Sequence, residues 1–143
     1  VITLHAGKGK GELIGGNLSL INSLMGTPYE IETKGKILFI EDVGEAPYRI
    51  DRYFSQLRMA GKFDHLKGAI LGKFTRRAKE PPDDDNSFTM LRVLEQYFSN
   101  LGVPVIANFP VGHYKYNVSF PIGVMAEIDA DKQTVRILEN PTQ

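Results

Sequence analysis

Lys36-Ile37-Leu38-Phe39-Ile40-Glu41-Asp42 is the stretch on which the fold turns. Its compact apolar run is of the kind found in a strand buried on both faces, and it ends on two carboxylates. From Tyr48 to Gly61, Ile50, Tyr53, Phe54, Leu57 and Ala60 recur on one face while Arg49, Asp51, Arg52, Gln56 and Arg58 point away. That spacing predicts an amphipathic helix with a glycine stop. A buried strand followed by such a helix is the unit of an α/β fold.

Working outward, Gly68-Ala69-Ile70-Leu71-Gly72-Lys73-Phe74 reads as a second buried strand and Phe88 to Leu101 as a helix with Leu91, Leu94, Phe98 and Leu101 on one side. Gly102 and Pro104 stop that helix ahead of a third strand, Val105-Ile106-Ala107. Between them, Arg76 to Ser87, with Pro81-Pro82 and Asp83-Asp84-Asp85, reads as a mobile loop. Upstream, Val1 to His5 is a short strand. Ala6 to Gly11 alternates glycine and lysine and is expected to hold no regular structure, and Asn17 caps a short helix bearing Leu18, Ile21, Leu24 and Met25. At the far end, Gly123 to Ile128 and Thr134 to Leu138 flank a turn at Asp129-Ala130-Asp131-Lys132 and predict a β-hairpin. The expectation is one mixed α/β domain with three buried strands, helices between them and a C-terminal hairpin.

Composition narrows the function. The 143 residues suit one domain, 42% of them are hydrophobic, and 17 basic side chains balance 17 acidic ones. Such a balance argues against a nucleic-acid partner, and no apolar run reaches the length of a membrane span. The chain has no cysteine, which excludes disulfides, thiolate nucleophiles and cysteine-based zinc sites. Val1 stands where a methionine would open a complete protein, and VITLH reads as a strand already under way, so the chain is expected to be a piece of a larger one.

Several groups carry chemistry on their face. Gly7 to Gly16 lacks the Gly-Lys-Ser/Thr triplet of a phosphate loop and the third glycine of a dinucleotide fingerprint, which leaves a loop and a tight backbone passage. Glu41, Asp42 and Glu45 crowd the mouth of a buried strand, where α/β proteins gather ligand and catalytic groups; they equally suit solvation of the strand end or capping of the next helix. No histidine stands near them at metal-ligand spacing. His65 lies among charged residues and reads as surface. His113, after Pro110-Val111-Gly112 and before Tyr114, Tyr116 and Asn117, occupies a loop suited to an imidazole that meets a partner, or to a structural one. No Gly-x-Ser-x-Gly and no serine on a strand-to-helix elbow is present. An acid and a base are offered without a nucleophile.

Gly11-Glu12-Leu13-Ile14-Gly15-Gly16-Asn17-Leu18, Gly26-Thr27-Pro28, Ile37 to Glu45 with Pro47-Tyr48-Arg49-Ile50-Asp51-Arg52, then Pro110-Val111-Gly112-His113 and Pro121-Ile122-Gly123 together resemble the LD-carboxypeptidase family. The resemblance covers nearly the whole chain. It implies the C-terminal domain, residues 1–143, of a two-domain serine peptidase, with a fold of the swivelling β/β/α type. Such enzymes are cytoplasmic homodimers that remove the terminal D-alanine of murein tetrapeptide in peptidoglycan recycling, and they use no metal or other cofactor. A relative in the family cleaves peptidyl-nucleotide antibiotics and confers self-immunity. A third alternative is a binding module that has kept the fold and lost the chemistry.

The family's triad is Ser-His-Glu, with the serine in the N-terminal domain. The resemblance carries the glutamate over to Glu41 and the histidine to His113, and makes Asn17 a substrate-binding residue. Glu41 and His113 are therefore expected within hydrogen-bonding reach, directly or through one water. Phe109, Val111, Tyr114 and Tyr116 are expected to form an exposed apolar-aromatic surface facing the nucleophile domain.

Overall fold

The computed structural model describes residues 1–75 and 89–140. Among these residues seven strands form one sheet: β1 (Ile2–His5), β2 (Lys8–Asn17), β3 (Ile37–Val43), β4 (Gly68–Thr75), β5 (Val105–Ala107), β6 (Met125–Asp129) and β7 (Thr134–Ile137). Three helices connect the middle strands: α1 (Leu18–Ser23), α2 (Pro47–Met59) and α3 (Met90–Phe98). The strand order is β1-β5-β4-β3-β2-β6-β7. Strands β2, β3, β4 and β5 run parallel, while β1, β6 and β7 are added antiparallel at the two edges.

The parallel part arises from three successive strand-helix-strand units that all step the same way across the sheet. Right-handed crossovers in one direction place every helix on one face. On that face Leu18 and Ile21 of α1, Ile50, Phe54 and Leu57 of α2, and Val93, Leu94, Tyr97 and Phe98 of α3 pack on Leu38, Ile40, Ala69, Leu71 and Val105. Phe54 is at its centre, fully buried, with the rings of Phe98, Tyr97, Phe74 and Phe63 at 5.1, 5.5, 6.0 and 6.2 Å. The opposite face carries Leu13, Ile37, Phe39, Ile70 and Ile106, and it is covered by Val111, Ala126, Ile128 and Ala130. The hairpin of β6 and β7 has curled back over the sheet. Thr3 Oγ1 donates to the Ala130 carbonyl at 2.6 Å, tying the first strand to the hairpin turn. Helices, sheet and curled hairpin make the β/β/α layering.

The helices, the three central strands and the hairpin lie where the sequence places them, and the predicted loop at 76–87 falls outside the described residues. Ala6 to Gly11 departs from expectation. From Lys8 it is the first half of β2, a ten-residue strand whose Lys8 to Glu12 pair with β6 and whose Leu13 to Asn17 pair with β3. Its glycines serve close approach, not looseness. A Cβ on Gly9 would overlap the Lys67 carbonyl oxygen and press on the Pro104 ring. Glycine in a strand interior is the mark of such a passage. With β2 included, the sheet has four parallel strands where three buried ones were expected.

Candidate active site

Side chains alternate along β3, and that alternation sorts its two acids. Leu38 and Ile40 face the helices and Ile37 and Phe39 face the hairpin layer, so Glu41 follows the hairpin side and Asp42 the helix side. Asp42 accepts from the backbone amide of Ser19 at 2.9 Å, at the start of α1, and from its neighbour Val43 at 2.7 Å. Glu41 is held on the other face. Both carboxylates are buried, at 4% and 2% exposure.

Opposite Glu41 the ladder between β3 and β4 slips. Ile40 pairs with Leu71 and Asp42 with Phe74, so Gly72 and Lys73 together face Glu41. This bulge turns two β4 backbone groups toward the chain that follows β5. Phe109 N donates to Leu71 O at 3.1 Å and Lys73 N to Val111 O at 3.0 Å, which ties residues 109–111 alongside β4. The Thr75 hydroxyl donates to the His113 carbonyl at 3.3 Å, and Asn117 Oδ1 accepts the Gly112 amide at 3.1 Å. The loop that carries His113 is therefore pinned from both sides.

The result brings together two residues 72 positions apart: His113 Nδ1 lies 2.8 Å from Glu41 Oε2. The backbone amide of His113 donates to the same oxygen at 3.2 Å. Gly112 makes the approach possible, since its φ of +106° suits glycine and a Cβ there would stand 2.6 Å from Glu41 Oε2. On the far side, Asn17 Nδ2 donates to Glu41 Oε1 at 3.3 Å and to Asp42 Oδ1 at 3.2 Å. The Asn17 Oδ1 in turn accepts from Ser19 Oγ at 2.7 Å and from Leu20 N at 3.2 Å, so the residue also caps α1.

Exposure divides the pair. The Glu41 side chain is 6% exposed and that of His113 57%, so the acid is enclosed while the imidazole edge opposite it opens to solvent. The hydrogen bond to Glu41 raises the His113 pKa from its ordinary value of 6.5, the Glu41 charge adds to that, desolvation opposes it and the more distant Asp42 charge adds again. A carboxylate on Nδ1 selects the tautomer with the proton on that nitrogen and leaves the Nε2 lone pair outward, where it can accept a proton from an incoming group. Beside the pair lies a shallow recess of about 190 Å³ lined by Phe39, Glu41, Val111, Gly112, Asn117 and Phe120 among others.

The other candidates separate from this site. Glu45 forms an i,i+4 ion pair with Arg49 of α2 at 3.3 Å, and His65 is exposed with a φ of +58°. Glu41 lies within β3 and His113 in a loop six residues past β5, so only the acid belongs to a strand. The expected aromatic surface is half present: Tyr114 and Tyr116 are exposed, joined by Val118 and Ile122, but Val111 is buried and Phe109 is half-buried with its ring 5.5 Å from that of Phe120 against the core. Reading the sequence noted Gly112 beside His113 but not the close approach to Glu41 that it permits, and it missed the bulge at Gly72. A glycine directly before the histidine and one inside an apolar strand were the available signals.

Among the described residues no group of three histidine or acidic side chains is placed to hold a metal ion, and no helix is long and apolar enough to cross a membrane. Comparison with known proteins places this geometry in context. Over 134 residues the chain is 42% identical to a probable murein peptide carboxypeptidase of Bacillus subtilis, covering 94% of this chain and 41% of that protein. Over 139 residues it is 32% identical to the microcin C7 self-immunity protein MccF of Escherichia coli, covering 94% and 38%. Solved structures of MccF superpose with a TM-score of 0.83 at 29% identity over 99% of this chain and 42% of theirs. A muramoyltetrapeptide carboxypeptidase from Oxalobacter formigenes gives 0.81 at 31% identity, over 96% and 47%. The chain thus spans less than half the length of these relatives. Residues 10–128 match the LD-carboxypeptidase C-terminal domain, and the chain belongs to that family.

Proposed function

We propose that this chain is the C-terminal domain of a serine-type LD-carboxypeptidase and supplies the acid and the base of its triad. The observation that carries the reading is the contact of His113 Nδ1 with an enclosed Glu41 at 2.8 Å, with the opposite ring edge exposed. In this reading a serine from a preceding domain meets His113 Nε2. The imidazole takes the hydroxyl proton as the serine oxygen attacks the scissile carbonyl, then returns it to the leaving amine of the terminal D-alanine. Water repeats the sequence on the acyl-enzyme. Glu41 fixes the tautomer and stabilises the imidazolium throughout.

The substrate in this proposal is murein tetrapeptide, cut at its L-to-D bond in peptidoglycan recycling by a cytoplasmic homodimer; the likeness to the two carboxypeptidases supports it. The likeness to MccF, one structure of which holds glutamyl sulfamoyl guanosine, supports the peptidyl-nucleotide alternative. Assaying the complete protein on both substrates separates them. A binding module without chemistry is the third reading, and turnover by the complete protein on either substrate would exclude it.

The decisive experiment is mutation in the complete protein. Glu41→Ala and His113→Ala are each expected to lower kcat/KM by roughly 10³-fold, the scale of a lost general base. Near-normal turnover in either variant would sink the assignment.

A further inference from the structure

Resting on that reading, we propose that Asn17 is a positioning residue: its amide, locked by α1 and Asp42, holds the Glu41 carboxylate so that the second oxygen faces His113.

The orientation of this amide is dictated by its neighbours. Backbone N–H groups only donate and carboxylates only accept, so the oxygen must face Leu20 N and the nitrogen must face Glu41 and Asp42. Both amide hydrogens and two acceptor positions are then used within the domain. Asn17 ends β2 opposite Glu41 in register, and the same residue begins α1, so strand pairing and helix cap fix its backbone together. Asp42 extends the lock, because its other oxygen accepts Ser19 N in the first turn of α1.

The consequence for Glu41 is a complete set of constraints. Its Oε1 is engaged by Asn17, and its Oε2 by the ring and the backbone amide of His113. Without the Asn17 donor only the two bonds to His113 restrain the terminal torsion, a broad and soft one, so the carboxylate can turn and weaken the bond to Nδ1. The imidazole would then sample both tautomers. A group expected to contact substrate is thus assigned, by its saturated amide, to act through Glu41.

Two substitutions keep the cap and remove the donors: Asn17→Ser and Asn17→Asp, since serine and aspartate cap helices as well as asparagine does. Nitrogen-15 NMR of the His113 ring in this chain, which needs no substrate, reads the tautomer. The parent is expected to show the Nδ1-protonated form, Asn17→Ser a mixture, and Asn17→Asp a raised midpoint of titration from the added charge. In the complete enzyme both variants should lower kcat by roughly 10- to 100-fold with little change in KM, the scale of a misaligned group. Unchanged ring nitrogens in both variants would overturn the proposal, as would a rise in KM alone, which marks a substrate contact. A parent ring already divided between tautomers would overturn it too. Loss of turnover in His113→Ala tests the triad separately, so the two readings fail by different measurements.

Discussion

At the scale of single residues, the site is a problem in directing one buried charge. Glu41 is enclosed, and its three donors come from two sequence regions far from β3. Replacing it by glutamine should return the His113 pKa toward its ordinary value, because both the leading causes of the rise are its own. The sign for stability follows. A histidine with a raised folded pKa contributes stability that is full below its unfolded pKa of about 6.5 and is lost as pH climbs through the folded value. That contribution is small, since His113 is more than half exposed. Unfolding of parent and Glu41→Gln across this window should show the pH dependence shrink in the variant; an identical dependence would count against the pair. Gly112→Ala is expected to cost about 1 to 3 kcal/mol from its positive φ and to push Glu41 aside, measured by thermal unfolding and by the ring nitrogens of His113. The position of Glu41 at the end of an apolar run was legible in sequence. Its partner was a resemblance, because no local pattern links residues 72 positions apart.

At the scale of elements, periodicity carried most of the reading. The apolar runs of β3, β4 and β5 and the face of α2 were legible because burial on one or both sides repeats at a fixed spacing. On α3, Leu94 and Phe98 are buried as expected, but Leu91 is exposed and Val93 and Tyr97 take its place in the core. Strand β2 was not, since half of its first eight residues would signal a loop by composition: Gly9, Gly11 and their lysine neighbours. Glycine there answers a packing demand set by Lys67 and Pro104, which only the assembled sheet reveals. Gly9→Ala should therefore destabilise the domain far more than the increase in β propensity would suggest, as followed by denaturant unfolding; a neutral or stabilising result would contradict the close passage. Phe54→Ala, at the centre of four other rings, is expected to cost about 3 to 5 kcal/mol in the same assay.

At the scale of the whole molecule, the proposed reading gives this chain the acid and the base and assigns the nucleophile and oxyanion donors to a preceding domain. The chain alone should fold and release no D-alanine from an L-to-D murein tetrapeptide, whereas mixing it with a separately made nucleophile domain should restore release. Release by the chain alone would show the nucleophile to lie within it. Exposed Tyr114 and Tyr116, near His113, should become protected from tyrosine modification in that mixture. The closure of the sheet has a further consequence, for the order of folding. Thr3 meets Ala130, 127 positions away, and Lys8 to Glu12 find their antiparallel neighbours only in β6. The strand-helix-strand units between β2 and β5 can form from near neighbours in sequence and β1 pairs with β5, but the first half of β2 finds its neighbour only in β6, more than a hundred residues later. Until β6 docks, Lys8 to Glu12 should present an open strand edge, so pairing of the hairpin is the step expected to close that edge to aggregation.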